Sequence, residues 1–357
     1  MNSAVIIADP VTSLGASLRP AIFIAEHLSK KGYEITLVTP YISESLIPCL
    51  KRYIKRTYSS KIPLIHPGSL AVFEAWIRSI FNHVNINSSS LVLNFSTTVK
   101  ASSTIYYGQG PISDALADIY EELPYRYKIV YKSFSQLFNK IDKNYLKFIR
   151  MNTQLFLANS KYCAEMYRRH GIDVDGIIYP PINTSVFKPL TNNPTNDYVL
   201  VYFGKEIKYR IIRTIADEGV KIKAFGSKAP YIPKDLIKHP NIEYLGRVDN
   251  KTLINLYSNA LYTLFPFTHE PFGYVPVESM SCGTPVLTFD KQGPKETVVH
   301  GRTGWLARTD TELIDLAIKI WKNGYNRNMR KWSREHAVLF DYKHILRNWE
   351  ELLAKYT

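Results

Sequence analysis

Apolar and polar positions along this chain follow two alternating periods. Ala4–Asp9 is an apolar, β-branched run, and a turn follows at Thr12–Gly15. Ile22, Ile24, Ala25 and Leu28 then recur at helical spacing, which predicts a helix over about Ser17–Lys31 that Gly32 stops. Glu34–Thr39 reads as the next strand. This β-α-β order predicts a parallel sheet with helices on its faces. Further strands are expected at Leu91–Phe95, Thr104–Tyr107 and Gln154–Ala158, with a long helical stretch from about Tyr125 to Arg150.

Pro180–Asn196 holds four prolines and several Asn and Thr, and reads as a linker. A second alternation starts beyond it. Strands are predicted at Tyr198–Phe203, Lys221–Phe225, Asn241–Leu245, Thr263–Phe267 and Val286–Phe289. Helices are predicted through Ile215, over Asp249–Asn259, up to Cys282, and from about Thr311 to the end. Two α/β halves joined by one linker place a cleft between them, and open parallel sheets bind ligands beyond their strand C-termini.

A chain of 357 residues is too long for one ordinary core and suits two domains. With 45% hydrophobic and 21% charged residues it is neither disordered nor fibrous. No apolar run reaches the roughly 18–20 residues that cross a bilayer. MNSAVIIADP has no basic region before an apolar core, so a secretory signal is not expected and the cytoplasm is. Cys49, Cys163 and Cys282 are widely separated, which argues against a disulfide framework or a cysteine zinc site. The net charge of +14 is spread along the chain rather than held in a tail. It allows nucleic acid, an anionic membrane or a phosphorylated substrate as partner, and does not choose among them.

His269–Gly304, HEPFGYVPVESMSCGTPVLTFDKQGPKETVVHGRTG, carries the most chemistry. Gly273 stands where a loop becomes a helix, and Pro276 suits that helix's first turn. N–H groups at a helix start are free and favour anions. Glu270 falls in the loop and Glu278 one to two turns into the helix. One carboxylate can meet a sugar and the other a more distant hydroxyl pair such as a ribose; equally, the two can be a cap and a solvated helix residue.

This run resembles the donor-site signature of glycosyltransferase family four, the retaining glycosyltransferases of group 1. It does so through Glu270, Phe272, Gly273 and the ESMSCGTPV stretch from Glu278 to Val286. Asn159–Ile172 with Tyr179–Pro189, Asn241–Ala260 and Ser13–Pro40 resemble other blocks of that family in the same order. The resemblance thins between about Ile42 and Ser103. It implies a GT-B fold of two Rossmann-like domains: residues 1–185 for the acceptor, 186–335 for the nucleotide sugar, and 336–357 as a helix returning to the first.

Carried over residue by residue, the resemblance implies that Glu270 contacts the donor sugar and Glu278 the ribose. Backbone N–H groups of Phe272, Gly273 and Tyr274 would face the sugar and diphosphate. Lys205 stands where the family has an Arg, and Lys208, with Arg210 as rival, where it has a Lys; these cations would stabilise the departing diphosphate. A lysine lacks the guanidinium's fork, so Lys205 is a departure. Gly15 matches the family's glycine loop, and Val248 falls where the backbone meets the base. Gln109 replaces a frequent cleft His; it can hydrogen-bond a hydroxyl but cannot take up a proton. The implied reaction moves a hexose from a nucleoside-diphosphate sugar, a co-substrate, to an acceptor hydroxyl on a glycan, lipid or protein, with no metal and no cofactor.

Other features read as less. Asp173-Val174-Asp175 is a D-x-D string placed between a helix end and a strand, and is expected to be a polar turn. The glycine fragment at Gly108 lacks a third glycine. The basic aromatic stretches Lys51–Lys61 and Arg126–Arg150 suit a peripheral contact with an anionic membrane carrying a lipid-linked acceptor, or simply helices packed on the sheet with lysines in water. Two rival readings are a catalytically weak nucleotide-sugar-binding homologue and a sugar-nucleotide epimerase on the same fold. Nucleic acid is not expected as a partner, because charge alone suggests it.

Overall fold

The computed structural model describes residues 2–59, 64–66, 70–80, 83–86, 91–226 and 232–356. The chain divides into two compact units: residues 1–115, 133–181 and 345–357 form the first, and residues 116–132 with 182–344 the second. The boundaries expected from the sequence lie at 185 and 335. The contacts also move 116–132 into the second unit, a transfer that no local pattern announces.

In the first unit, β1 (Ser3–Ile7), β2 (Glu34–Thr39), β3 (Arg56–Ser59), β4 (Leu91–Asn94), β5 (Ser103–Gly108), β6 (Thr153–Ala158) and β7 (Gly176–Ile177) form one parallel sheet. Its order is β3-β2-β1-β4-β5-β6-β7. The second unit holds β8 (Val199–Tyr202), β9 (Ile222–Phe225), β10 (Ile242–Gly246), β11 (Thr263–Phe265), β12 (Val286–Phe289) and β13 (Gly304–Ala307), ordered β10-β9-β8-β11-β12-β13. Both orders are doubly wound, with the chain reversing direction across the sheet between β1 and β4 and between β8 and β11. A ligand crevice forms beyond the strand ends at such a reversal. The central strands, such as β8 and β12, are nearly continuous apolar runs because helices cover both faces.

The helices follow from their apolar stripes and caps. Arg19–Lys30 buries Phe23, Ile24, Ala25 and Leu28 and carries a proline in its first turn. Asn250–Asn259 starts at Asp249, whose carboxylate accepts the Thr252 N–H at 2.7 Å. The C-terminal helix Tyr342–Leu353 contributes Trp349 to the first unit's core. This indole is 1% exposed and meets Phe95 and Tyr107 at centroid distances of 5.9 and 5.5 Å.

The two basic stretches fold differently. Lys51–Lys61 is not a helix: a turn leads into β3, a sheet-edge strand exposed at all four positions, while Ser60 and Lys61 lie outside the described residues. Tyr125–Met151 is one helix of 27 residues. Its second half buries Phe138, Ile141, Tyr145, Leu146 and Ile149. Its first half leaves Tyr125, Ile129, Val130, Phe134 and Leu137 in solvent. Asp175 of the D-x-D string is occupied by Arg150, both guanidinium nitrogens donating to it at 3.1 and 3.2 Å, and accepts the Phe156 N–H at 2.7 Å. Among the described residues no helix is long and apolar enough to cross a membrane, and no cluster of His, Cys, Asp and Glu could hold a metal ion.

Candidate functional site

The loops leaving the C-terminal ends of β8, β11 and β12 come together in the second unit. The first two are stitched: Lys208 N donates to Pro266 O at 2.8 Å, and Thr268 donates to Glu206 O from its N–H at 2.7 Å and its hydroxyl at 3.1 Å. Lys208 starts the helix Tyr209–Asp217. Its ammonium donates to Asp310 Oδ1 at 2.7 Å and lies 5.1 Å from the centroid of Phe289, at the end of β12. Arg210 reaches the same Asp310 only at 3.8 Å, and its side chain is 83% exposed. The two side chains differ in placement: Lys208 turns into the loops and Arg210 into water. Lys205 is half-exposed, with Glu206 at 3.5 Å.

The next loop carries Glu270. Gly273 has φ +100°, a left-handed conformation that glycine adopts without penalty. A Cβ there would also crowd Pro276 and Pro294 at 3.3 Å. This turn folds the Glu270 side chain back onto the start of the helix Tyr274–Ser281. Its Oε1 accepts the N–H groups of Gly273 at 3.0 Å and Phe272 at 3.4 Å. Two of the three N–H groups assigned to donor are therefore engaged by Glu270 itself. Loss of hydration, with a contribution from the Glu206 charge, raises the Glu270 pKa to about 7, while His269 and the two N–H groups oppose the rise. Glu278 is buried five residues into the helix, where the Tyr257 hydroxyl donates to its Oε2 at 3.2 Å.

A clamp holds the Glu270 loop. Gln292 adopts φ +55°, which is costly for a residue with a side chain and persists only where neighbours enforce it. Its Oε1 accepts Glu270 N at 2.7 Å, and its Nε2 donates to Thr268 O at 3.1 Å and Asp118 Oδ2 at 3.0 Å. Gly293 N donates to Glu270 O at 3.0 Å, an approach so close that a Cβ on Gly293 would overlap Pro271 O. Asp118 Oδ2 also pairs with His269 Nδ1 at 2.8 Å. The residues on both sides of Glu270 are thus fixed by groups up to 151 positions away.

The remaining assignments fall in two places. Val248 is partly buried in the loop after β10, at the far edge of the second sheet from β13. Gly15 and Gln109 belong to the first unit; the Gln109 amide donates to Ser17 O, two residues after Gly15, at 3.0 Å and to Phe95 O at 3.4 Å. Gly15 has extended backbone, φ −78° and ψ −179°, which any residue can adopt, although a Cβ would come within 3.2 Å of Ser13 Oγ. Sequence reasoning overlooked Asp118, Lys291, Gln292 and Asp310. The middle two lie inside the His269–Gly304 run, where their position after a strand was the available signal. Asp118 and Asp310 had none.

The chain is similar to known proteins in one segment of its sequence and in its fold. Residues 231–336 fit the family model described as glycosyl transferases group 1. The chain is 29% identical over 119 residues to a D-inositol 3-phosphate glycosyltransferase of Jonesia denitrificans, covering 32% of this chain and 27% of that protein. It is 25% identical over 209 residues to a probable sucrose-phosphate synthase of Thermosipho melanesiensis, covering 50% and 49%. The matched stretches thus span about half or less of these relatives. Among solved structures, Anabaena HepE in complex with UDP superposes with a TM-score of 0.70 over 99% of this chain and 100% of that one, at 16% identity. The fold is GT-B, and residues 231–336, which include the ESMSCGTPV run, are similar to glycosyl transferases group 1.

Proposed function

We propose that this chain is a retaining glycosyltransferase that moves a hexose from a nucleoside-diphosphate sugar to an acceptor hydroxyl on a glycan, lipid or protein. The observation that carries the reading is the juxtaposition, beyond the ends of β8, β11 and β12, of a held carboxylate, Glu270, with lysines, ahead of a helix that buries Glu278. Glu270 orients the sugar and Glu278 the ribose. Lysines meet the charge that builds on the diphosphate as its bond to the anomeric carbon breaks. Phe272, Gly273 and Tyr274 line the sugar's side, and Val248 the base. Gly15 approaches the donor, and Gln109 hydrogen-bonds a sugar hydroxyl in the catalytic cleft. The reading calls for no metal and no cofactor, and it places the protein in the cytoplasm with peripheral contact to an anionic membrane.

Calorimetric titration with UDP-, GDP- and ADP-sugars tests it. The UDP in the HepE structure makes uridine the first base to try. One nucleotide class is expected to bind the native chain. In Glu278→Ala that affinity should fall by about 1–3 kcal/mol, the scale of hydrogen bonds lost at a buried polar partner. A folded native chain that binds none of the three sinks the reading. A second reading, a homologue that binds donor without transferring it, draws on Gln109, which cannot take up a proton. Nucleotide release on adding candidate acceptors separates the two.

A further inference from the structure

The loop after β12 brings a cation that the family resemblance does not assign. Lys291 is half-buried, and its ammonium lies 4.9 Å from the centroid of Phe289 and 5.6 Å from that of Phe267. Lys208 stands at 5.1 Å from the same Phe289 ring. The two lysines differ in what answers their charge. Lys208 donates to Asp310, whereas among the described residues no carboxylate forms an ion pair with Lys291. Burial, then the nearby Lys208 charge, pulls the Lys291 pKa below that of an ordinary lysine. A second cation kept in a partly dehydrated place beside another is unfavourable unless something compensates it. Ring faces do so in part, and they leave the ammonium hydrogens free to donate. Lys205 is placed in the opposite way, half in water and beside the Glu206 carboxylate.

We propose that Lys291, together with Lys208, grips the diphosphate of the nucleotide donor, taking the place that the family resemblance gives to Lys205. The inference rests on the nucleotide-sugar reading above and names the residues that read the donor's charge. Asp118 and Asp310 act on Lys291 only from beyond ion-pair distance; a diphosphate spread over two ammonium groups supplies an anion in direct contact, and charge-assisted hydrogen bonds from a fixed lysine strengthen as the leaving group's charge grows.

The test titrates UDP, GDP and ADP, and the matching monophosphates, into the native chain, Lys291→Met, Lys291→Arg and Lys205→Met, with circular dichroism confirming the fold of each. Methionine keeps the apolar stem on the two rings and removes the charge. Lys291→Met should bind the diphosphate about tenfold or more weakly, as expected for a lost charge-assisted contact, and bind the monophosphate within about twofold. Its diphosphate affinity should also fall less steeply with salt, as one fewer ion contact implies. Lys291→Arg should recover most of the loss, and Lys205→Met should lose less diphosphate affinity than Lys291→Met. A Lys291→Met chain that keeps native diphosphate affinity, or loses monophosphate equally, overturns the inference; so does a larger loss in Lys205→Met. These failures leave the donor reading intact, because the native chain still binds nucleotide. A native chain that binds no nucleotide overturns both.

Discussion

Glu270 links the site's chemistry to the protein's pH dependence. Its carboxyl titrates at about 7 in the folded chain against an ordinary value of 4.5. Between those values the folded chain holds a proton that the unfolded chain has released, so folding loses stability as pH rises through this window. Below it both states are protonated and the penalty vanishes; above it the penalty is complete. Glu270→Gln removes the charge while keeping the shape. It should therefore stabilise the ligand-free protein by about 1–3 kcal/mol at pH 8 and leave it unchanged at pH 4, measured by urea unfolding. An equal gain at both pH values would show that ionisation is not its source. The pair Glu270 and Glu278 was legible beforehand because one short stretch carries both. The clamp was not. Gln292 has no residue-type signature, its left-handed backbone is invisible in a sequence, and its partner Asp118 lies 174 positions away.

At the scale of elements, the helix Tyr342–Leu353 gives its Trp349 to a slot beside Phe95 and Tyr107, where 1% of the residue is exposed. Trp349→Ala should cost about 3–5 kcal/mol, the usual penalty for emptying a large aromatic site in a core. The loss should appear in urea unfolding followed at the first unit, with less effect on nucleotide binding by the second. Strands that pair on both sides were readable from their apolar runs, and Glu34–Thr39 and Val286–Phe289 coincide with β2 and β12. Two strands escaped notice for physical reasons. β3 is an exposed edge with no apolar face to mark it, and β13 leaves Trp305 and Leu306 only partly buried; the strand expected after Asp175 is β7, only two residues long. The helix Ala71–Arg78 escaped too, in the part of the chain where the family resemblance thins.

For the whole molecule, the first half of the helix Tyr125–Met151 presents an apolar and basic surface. Ile129, Val130, Phe134 and Leu137 are each 47–49% exposed, among Arg126, Lys128, Lys132 and Lys140. Apolar side chains ringed by cations suit an anionic membrane surface, where burial and charge attraction add. The proposed peripheral contact predicts flotation with phosphatidylglycerol vesicles at low salt, little with neutral ones, and release as salt rises. Phe134→Asp should weaken it severalfold, by opposing both contributions at once. Absence of flotation at low salt would remove the membrane from the reading and leave the donor site untouched.

The place of Trp349 also has a consequence in time. Residues 345–357 belong to the first unit, yet they are synthesised after the whole stretch 182–344 that builds the second. At about 5–20 residues per second, translation of that stretch takes roughly 10–30 s. Throughout it the nascent first unit carries an open aromatic slot lined by Phe95 and Tyr107. The half of the protein that leaves the ribosome first is therefore the half that is finished last.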